Sequence, residues 1–199
     1  MRTNLLFITA ALLLAFSACN KVSESIQRDV ITKTDTIKFE LLASDNISSP
    51  NTSIKDLSGL LNLTEEIKKA GGFELKDIVS IKLSSFIMTQ DSVRRRTSDG
   101  KSDSNYNYID TASNFRNFSN VKVFLKSGSK IDSLAKVTNI SDGAILARLN
   151  LSSIIAPDSL KSFVNAGNMK YDLSIQLRFK TDKTIKGKIL TNYTLTLRK

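Results

Sequence analysis

The chain has 199 residues with no histidine, no tryptophan and a single cysteine, Cys19. Its chemistry therefore rests on carboxylates, amines, guanidines and hydroxyls. A Ser-His-Asp or Cys-His nucleophile cannot be assembled from these groups, and zinc sites built on His and Cys are excluded. Oxygen ligands for a hard cation remain, yet no Asp-rich loop of EF-hand spacing occurs. We therefore expect no metal, no cofactor and no catalytic residue that the sequence singles out. Carboxylates alone suffice for glycoside hydrolysis, which keeps a glycan-active enzyme as the alternative to a binding protein, but no pair of acids stands out by spacing.

Cations give the stronger signal. The formal net charge is +10, and it is uneven: residues 101–199 carry 16 Lys and Arg against seven Asp, whereas residues 19–100 carry twelve of each sign. Near the C-terminus Lys170, Arg178, Lys180, Lys186, Lys188 and Arg198 fall on the solvent side of an expected final hairpin, opposed only by Asp172. Such a patch suits an anionic glycan or lipid headgroups. The plainer reading is a solvated sheet face with lysines guarding an edge. Nucleic acid is not expected, because no aromatic side chains interleave with the cations.

Hydroxyls recur in a third pattern, Asp followed by Ser or Thr and a small or aliphatic residue. It occurs at Asp35-Thr36-Ile37, Asp91-Ser92-Val93, Asp110-Thr111-Ala112, Asp132-Ser133-Leu134 and Asp158-Ser159-Leu160. Roughly one occurrence is expected by chance. The pattern resembles the O-glycosylation acceptor of some bacterial envelope proteins, which implies sugar on Thr36, Ser92, Thr111, Ser133 and Ser159. Turns and helix starts also favour Asp with Ser or Thr, so a purely structural origin stands beside that reading.

The elements that must position these groups are mostly strands. Tyr171, Leu173, Ile175, Leu177 and Phe179 alternate with polar residues, and so do Ile185, Ile189, Tyr193, Leu195 and Leu197, the period of half-buried strands. The two runs are expected to pair across a turn at Thr181-Asp182-Lys183, and shared faces put Phe179 opposite Ile185 and Arg178 opposite Lys186. Shorter β-branched stretches predict strands at Ile37 to Leu41, Val79 to Met88, Val121 to Leu125, Leu134 to Ile140 and Ile145 to Leu151. Two short helices are expected, from about Thr64 as N-cap to Ala70 before Gly71-Gly72, and from Pro157 or Asp158 to Ala166 with Gly167 as stop. The polar stretch from Arg94 to Asn105 lacks periodicity and reads as an exposed loop whose three arginines can meet anions or a protease.

At the N-terminus Arg2 precedes an uncharged apolar run from Leu5 to Phe16, and the small residues Ser17 and Ala18 lead into Cys19. This is the order of a signal peptide, and the run falls short of the roughly 20 apolar residues of a membrane span. A lone cysteine rules out a disulfide framework. Phe16-Ser17-Ala18-Cys19 resembles the lipobox of bacterial lipoproteins, with Phe16 where the family usually has Leu. The resemblance implies cleavage before Cys19, acylation of its sulfur and freed amino group, and anchorage by several acyl chains. Asn20 stands where the family's inner-membrane retention signal has Asp, which implies the outer membrane.

The expected organisation is a signal peptide at 1–18, the lipidated cysteine and a polar tether at 19–34, and one domain at 35–199. The fold class is mainly β, an antiparallel β-sandwich with one or two short helices, with a small barrel as the other possibility. A central strand from Ile145 to Leu151, a short helix and a final long hairpin resemble the immunoglobulin-like sandwiches of many small envelope lipoproteins. That resemblance implies a binding or scaffolding role for a chain held on the bacterial envelope.

Overall fold

The computed structural model describes residues 26–44, 47, 52–96, 102–166 and 169–199. The signal segment, Cys19, the first part of the tether and Gly167 lie outside the described residues. The strands are β1 (Gln27–Ile31), β2 (Asp35–Leu41), β3 (Thr52–Leu57), β4 (Ile78–Gln90), β5 (Val93–Arg96) and β6 (Ser102–Tyr108). They continue with β7 (Phe118–Ser127), β8 (Lys130–Val137), β9 (Arg148–Asn150), β10 (Ser152–Ser153), β11 (Lys170–Leu177) and β12 (Ile185–Arg198). The helices are α1 (Leu63–Lys69) and α2 (Pro157–Ala166).

Two five-stranded antiparallel sheets form a sandwich. In the first, the order is β1-β12-β4-β9, and β2 pairs with β12 as well; the second runs β10-β8-β7-β11-β3. Tyr171, Leu173 and Ile175 of β11 and Ile185, Ile189, Tyr193, Leu195 and Leu197 of β12 are buried, as their alternation requires. The expected β-sandwich with short helices is met, and the immunoglobulin likeness stays at the level of two facing sheets.

The expected final hairpin does not form. β12 pairs with β1, β2 and β4, whereas β11 pairs with β7 and β3, so the two strands belong to different sheets. Alternation fixes which side of a strand is apolar but not which strand lies beside it. Here the two apolar sides face each other across the core, which burial satisfies equally well. The connection is held elsewhere: the amides of Arg178 and Phe179 both donate to the Asn117 carbonyl, and Thr181 bridges to Ser44. Phe179, expected in the core, is 46% exposed because β11 ends at Leu177.

One edge of the first sheet is a single strand with an interruption. Ile31 pairs with Thr194 and Asp35 with Thr191, so β1 and β2 lie end to end along β12 with one extra residue between them. Thr32 stitches this bulge: its amide donates to the Tyr193 carbonyl at 2.9 Å and its hydroxyl accepts from the Tyr193 amide at 3.0 Å. The first strand thus starts at Gln27, inside the stretch read as tether. β1 escapes notice in the sequence because its side chains are almost all exposed and show no alternation.

β4 carries two register shifts against β12, at Asn192/Tyr193 and Thr196/Leu197. Each adds a residue and flips the face on which the next residues lie. Hence Ile78, Ile81, Phe86 and Met88 all point inward despite unequal parity. On the opposite edge β9 and β10 are separated by Leu151 alone, and the chain steps from one sheet to the other there.

The cap of α1 is Asn62, two residues before the expected Thr64: its side-chain oxygen accepts from the Glu65 amide at 3.3 Å. Glu65 and Glu66 in the first turn and Lys68 and Lys69 in the last complement the helix dipole. Gly71 and Gly72, at φ 120° and 71°, end it in a conformation that disfavours other residues. α2 opens with Pro157 and buries Leu160, Phe163 and Val164 at helical spacing against β4 and β7. The Arg94 to Asn105 stretch is not a plain loop, since β5 and β6 pair within it, with Val93 opposite Tyr108 and Arg94 opposite Asn107. The strand expected from Ile145 begins only at Arg148, leaving Ile145 49% exposed.

Candidate functional site

The six cations expected on one hairpin face are dispersed. Lys170 opens β11, Arg178 and Lys180 come just after it, and Lys186, Lys188 and Arg198 lie on β12. Since the core faces of β11 and β12 oppose each other, their solvent faces point away from each other. Three of the six also have acidic partners: Arg178 with Asp142 at 3.3 Å, Lys180 with Asp182 at 3.2 Å and Lys186 with Glu40 at 3.5 Å. Lys170 reaches the Ser58 hydroxyl at 2.5 Å and Arg198 the Gln27 amide oxygen at 3.1 Å. Lys188 lies opposite Lys38 of β2.

A different pair of cations is brought together on the outer face of the second sheet. Lys122 of β7 is the register partner of Lys136 of β8 and, on its other side, of Ser174 of β11. With Asn120, Thr138, Ser174 and Gln176, the two lysines line a concavity of about 300 Å³. Among the described residues neither lysine is in an ion pair. The Asn120 amide donates to the Gln176 side-chain oxygen at 2.5 Å, and the Asn139 amide to the Asn120 oxygen at 3.3 Å, which fixes the floor. Like charges directly opposite each other destabilise a sheet. An oxyanion seated between them reverses that sign and accepts charge-assisted hydrogen bonds.

Sequence reasoning missed this pair because each lysine sits in an ordinary alternating strand, and only the register makes them neighbours. The sole hint in the sequence is that both outward positions are lysine, Lys122 in a strand without acids and Lys136 in one whose single acid is Asp132.

The Asp-Ser/Thr triplets mostly have a structural role in their Asp. Asp35, 3% exposed, accepts on one oxygen from the amides of Thr36, Leu60 and Leu61 at 2.8, 2.6 and 2.9 Å. Asp110 accepts from Ala112 and Ser113, and its other oxygen receives the Lys183 ammonium at 2.6 Å. Asp132 accepts from the Ser133 amide, and Asp158 sits in the first turn of α2. Of the five hydroxyl residues, Ser92 and Thr111 are exposed, while Thr36, Ser133 and Ser159 are half-buried.

The chain matches no family model, no curated protein and no solved structure. The geometry therefore carries the functional reading by itself.

For the enzyme alternative, Asp91 and Asp110 line a common cleft of about 340 Å³. The hydrogen bond from Lys183, with help from the amides of Ala112 and Ser113, holds the Asp110 carboxyl below its usual range against the opposing effect of burial. A general acid for glycoside cleavage needs the opposite shift. Lys183 thus makes Asp110 a fixed anion and a turn anchor.

Proposed function

We propose that this chain is an outer-membrane lipoprotein, anchored through acyl chains on Cys19, whose β-sandwich binds an anionic envelope glycan or lipid headgroup at the Lys122–Lys136 concavity. The order of charge, apolar run, small residues and lone cysteine supports the anchor. The observation that carries the binding role is the facing of Lys122 and Lys136, neither of them in an ion pair among the described residues. Asn120, Gln176, Ser174 and Thr138 around them supply neutral donors and acceptors suited to an oxyanion and its neighbouring hydroxyls.

The test captures the anchored protein from intact envelopes at low and high salt. An anionic partner is retained at low salt, released at high salt, and lost at low salt from the Lys122→Glu/Lys136→Glu variant. The Lys186→Glu/Lys188→Glu variant keeps it. Retention that ignores salt and the first charge reversal overturns the binding role. Mass spectrometry of the mature product showing an unmodified Cys19 sulfur overturns the anchor.

A further inference from the structure

A cleft of about 400 Å³ opens beside the start of α1, between the 58–62 segment, Val164 of α2 and the first residues of β11. Asp35 is one of its lining residues although only 3% of its surface is exposed. One carboxylate oxygen is saturated by the three amides of Thr36, Leu60 and Leu61. The other, Oδ2, accepts no hydrogen bond among the described residues and lies against Gly59, where a Cβ would come within 2.0 Å of it. Asp35 is in no ion pair there either. Lys170, which lines the same cleft, turns its ammonium to Ser58 instead.

A buried carboxylate with one unengaged oxygen and no counter-cation is a strong attractor for a donor that carries positive charge. Leu61, Leu75, Val164 and Met169 give the lining an apolar part, beside polar Ser58, Asn62, Thr64 and Lys170. We propose that this cleft is a binding site for a small primary amine with an apolar stem, its ammonium donating to Asp35 Oδ2 and its stem lying against Leu75, Val164 and Met169. The site is separate from the basic concavity on the second sheet and selects the opposite charge. Its volume suits a ligand of on the order of ten non-hydrogen atoms.

The test titrates n-pentylammonium, 1-pentanol and pentanoate against the full chain and monitors the backbone amide resonances of Leu60 and Leu61, which report on Asp35. Pentylammonium gives saturable shifts, and 1-pentanol binds at least about tenfold more weakly, the worth of a charge-assisted hydrogen bond. Pentanoate gives none. Asp35→Asn keeps the oxygen that accepts the three amides, so it preserves the loop while removing the charge, and it abolishes the preference for the amine. Met169→Trp fills the cleft with Asp35 intact and abolishes binding by a second route. Equal binding of the amine and the alcohol, a preference that survives Asp35→Asn, binding that survives Met169→Trp, or no saturable shift overturns the proposal.

Discussion

The hydroxyl of Tyr171 on β11 meets that of Tyr193 on β12 at 2.9 Å, a hydrogen bond between the two sheets in the middle of the core. Both rings are essentially inaccessible, at 1% and 0% exposure. Each hydroxyl is thus the other's compensation for leaving water.

Removing one partner leaves the other buried with its hydrogen bond unmade, which costs about 1–3 kcal/mol, whereas removing both leaves matched apolar surfaces. Tyr171→Phe and Tyr193→Phe should each lower stability by that amount. The double variant should lose less than the sum. Urea unfolding of the four proteins measures the coupling, and strict additivity would show that the pair does not act as a unit.

Burial, the leading cause for both phenols, raises Tyr171 well above its ordinary value and pushes Tyr193 up to about 12 from 10.0. A raised native value means that the folded chain keeps protons the unfolded chain releases, so stability is full below pH 10.0 and falls as pH climbs toward 12. The phenolate absorbance of Tyr171 and Tyr193 should appear together with the loss of β circular dichroism. Ionisation of Tyr171 and Tyr193 in a chain that is still folded would contradict the assignment.

Asp110 behaves in the opposite sense. Its native value lies below 3.8, so its contribution is present above that pH and disappears as the solution is acidified through the native value. Asp110→Asn retains an acceptor for Ala112 and Ser113 but cannot titrate. Its acid-unfolding curve should be shallower than the parent's below pH 3.8. Parallel curves would mean that Lys183 does not act on Asp110.

Gly187 lies opposite Phe39 in the β2–β12 ladder. A Cβ there would stand 2.5 Å from the Thr89 carbonyl oxygen and 2.6 Å from the Phe39 ring. Gly187→Ala is expected to destabilise by about 1–3 kcal/mol through overpacking. Phe39→Leu in the same chain should recover part of the loss, read from the midpoint of thermal unfolding. A neutral Gly187→Ala would show that the sheet shifts freely at this point.

The sequence made the inward faces of β11 and β12 legible, because long alternating runs leave only one way to bury Tyr171, Leu173, Tyr193 and Leu195. It did not make their neighbours legible, since side-chain period carries no information on pairing. The inward face of β4 was hard to read for a local reason: its bulges break the period that would have marked Ile81 and Phe86 as parts of one face. The same limit hid Lys122 and Lys136. Each lysine is visible by itself, but their mutual approach exists only in the register of β7 and β8. Asp35 was noticed for the hydroxyl beside it, while its place in a cleft depends on Leu60 and Leu61, which fold back from more than 20 residues away.

Because β12 serves as the shared neighbour of β1, β2 and β4, the first sheet without it keeps only the short β4–β9 pairing. Gln27 waits for Arg198, and β2 and β4 wait for the same segment. Contacts so distant along the chain slow folding and lengthen the time during which unpaired edges are open to aggregation. A ribosome or a transport channel that delivers this polypeptide from its front end would therefore hold an unclosed molecule until the β12 segment emerged, and closure would then come late and all at once.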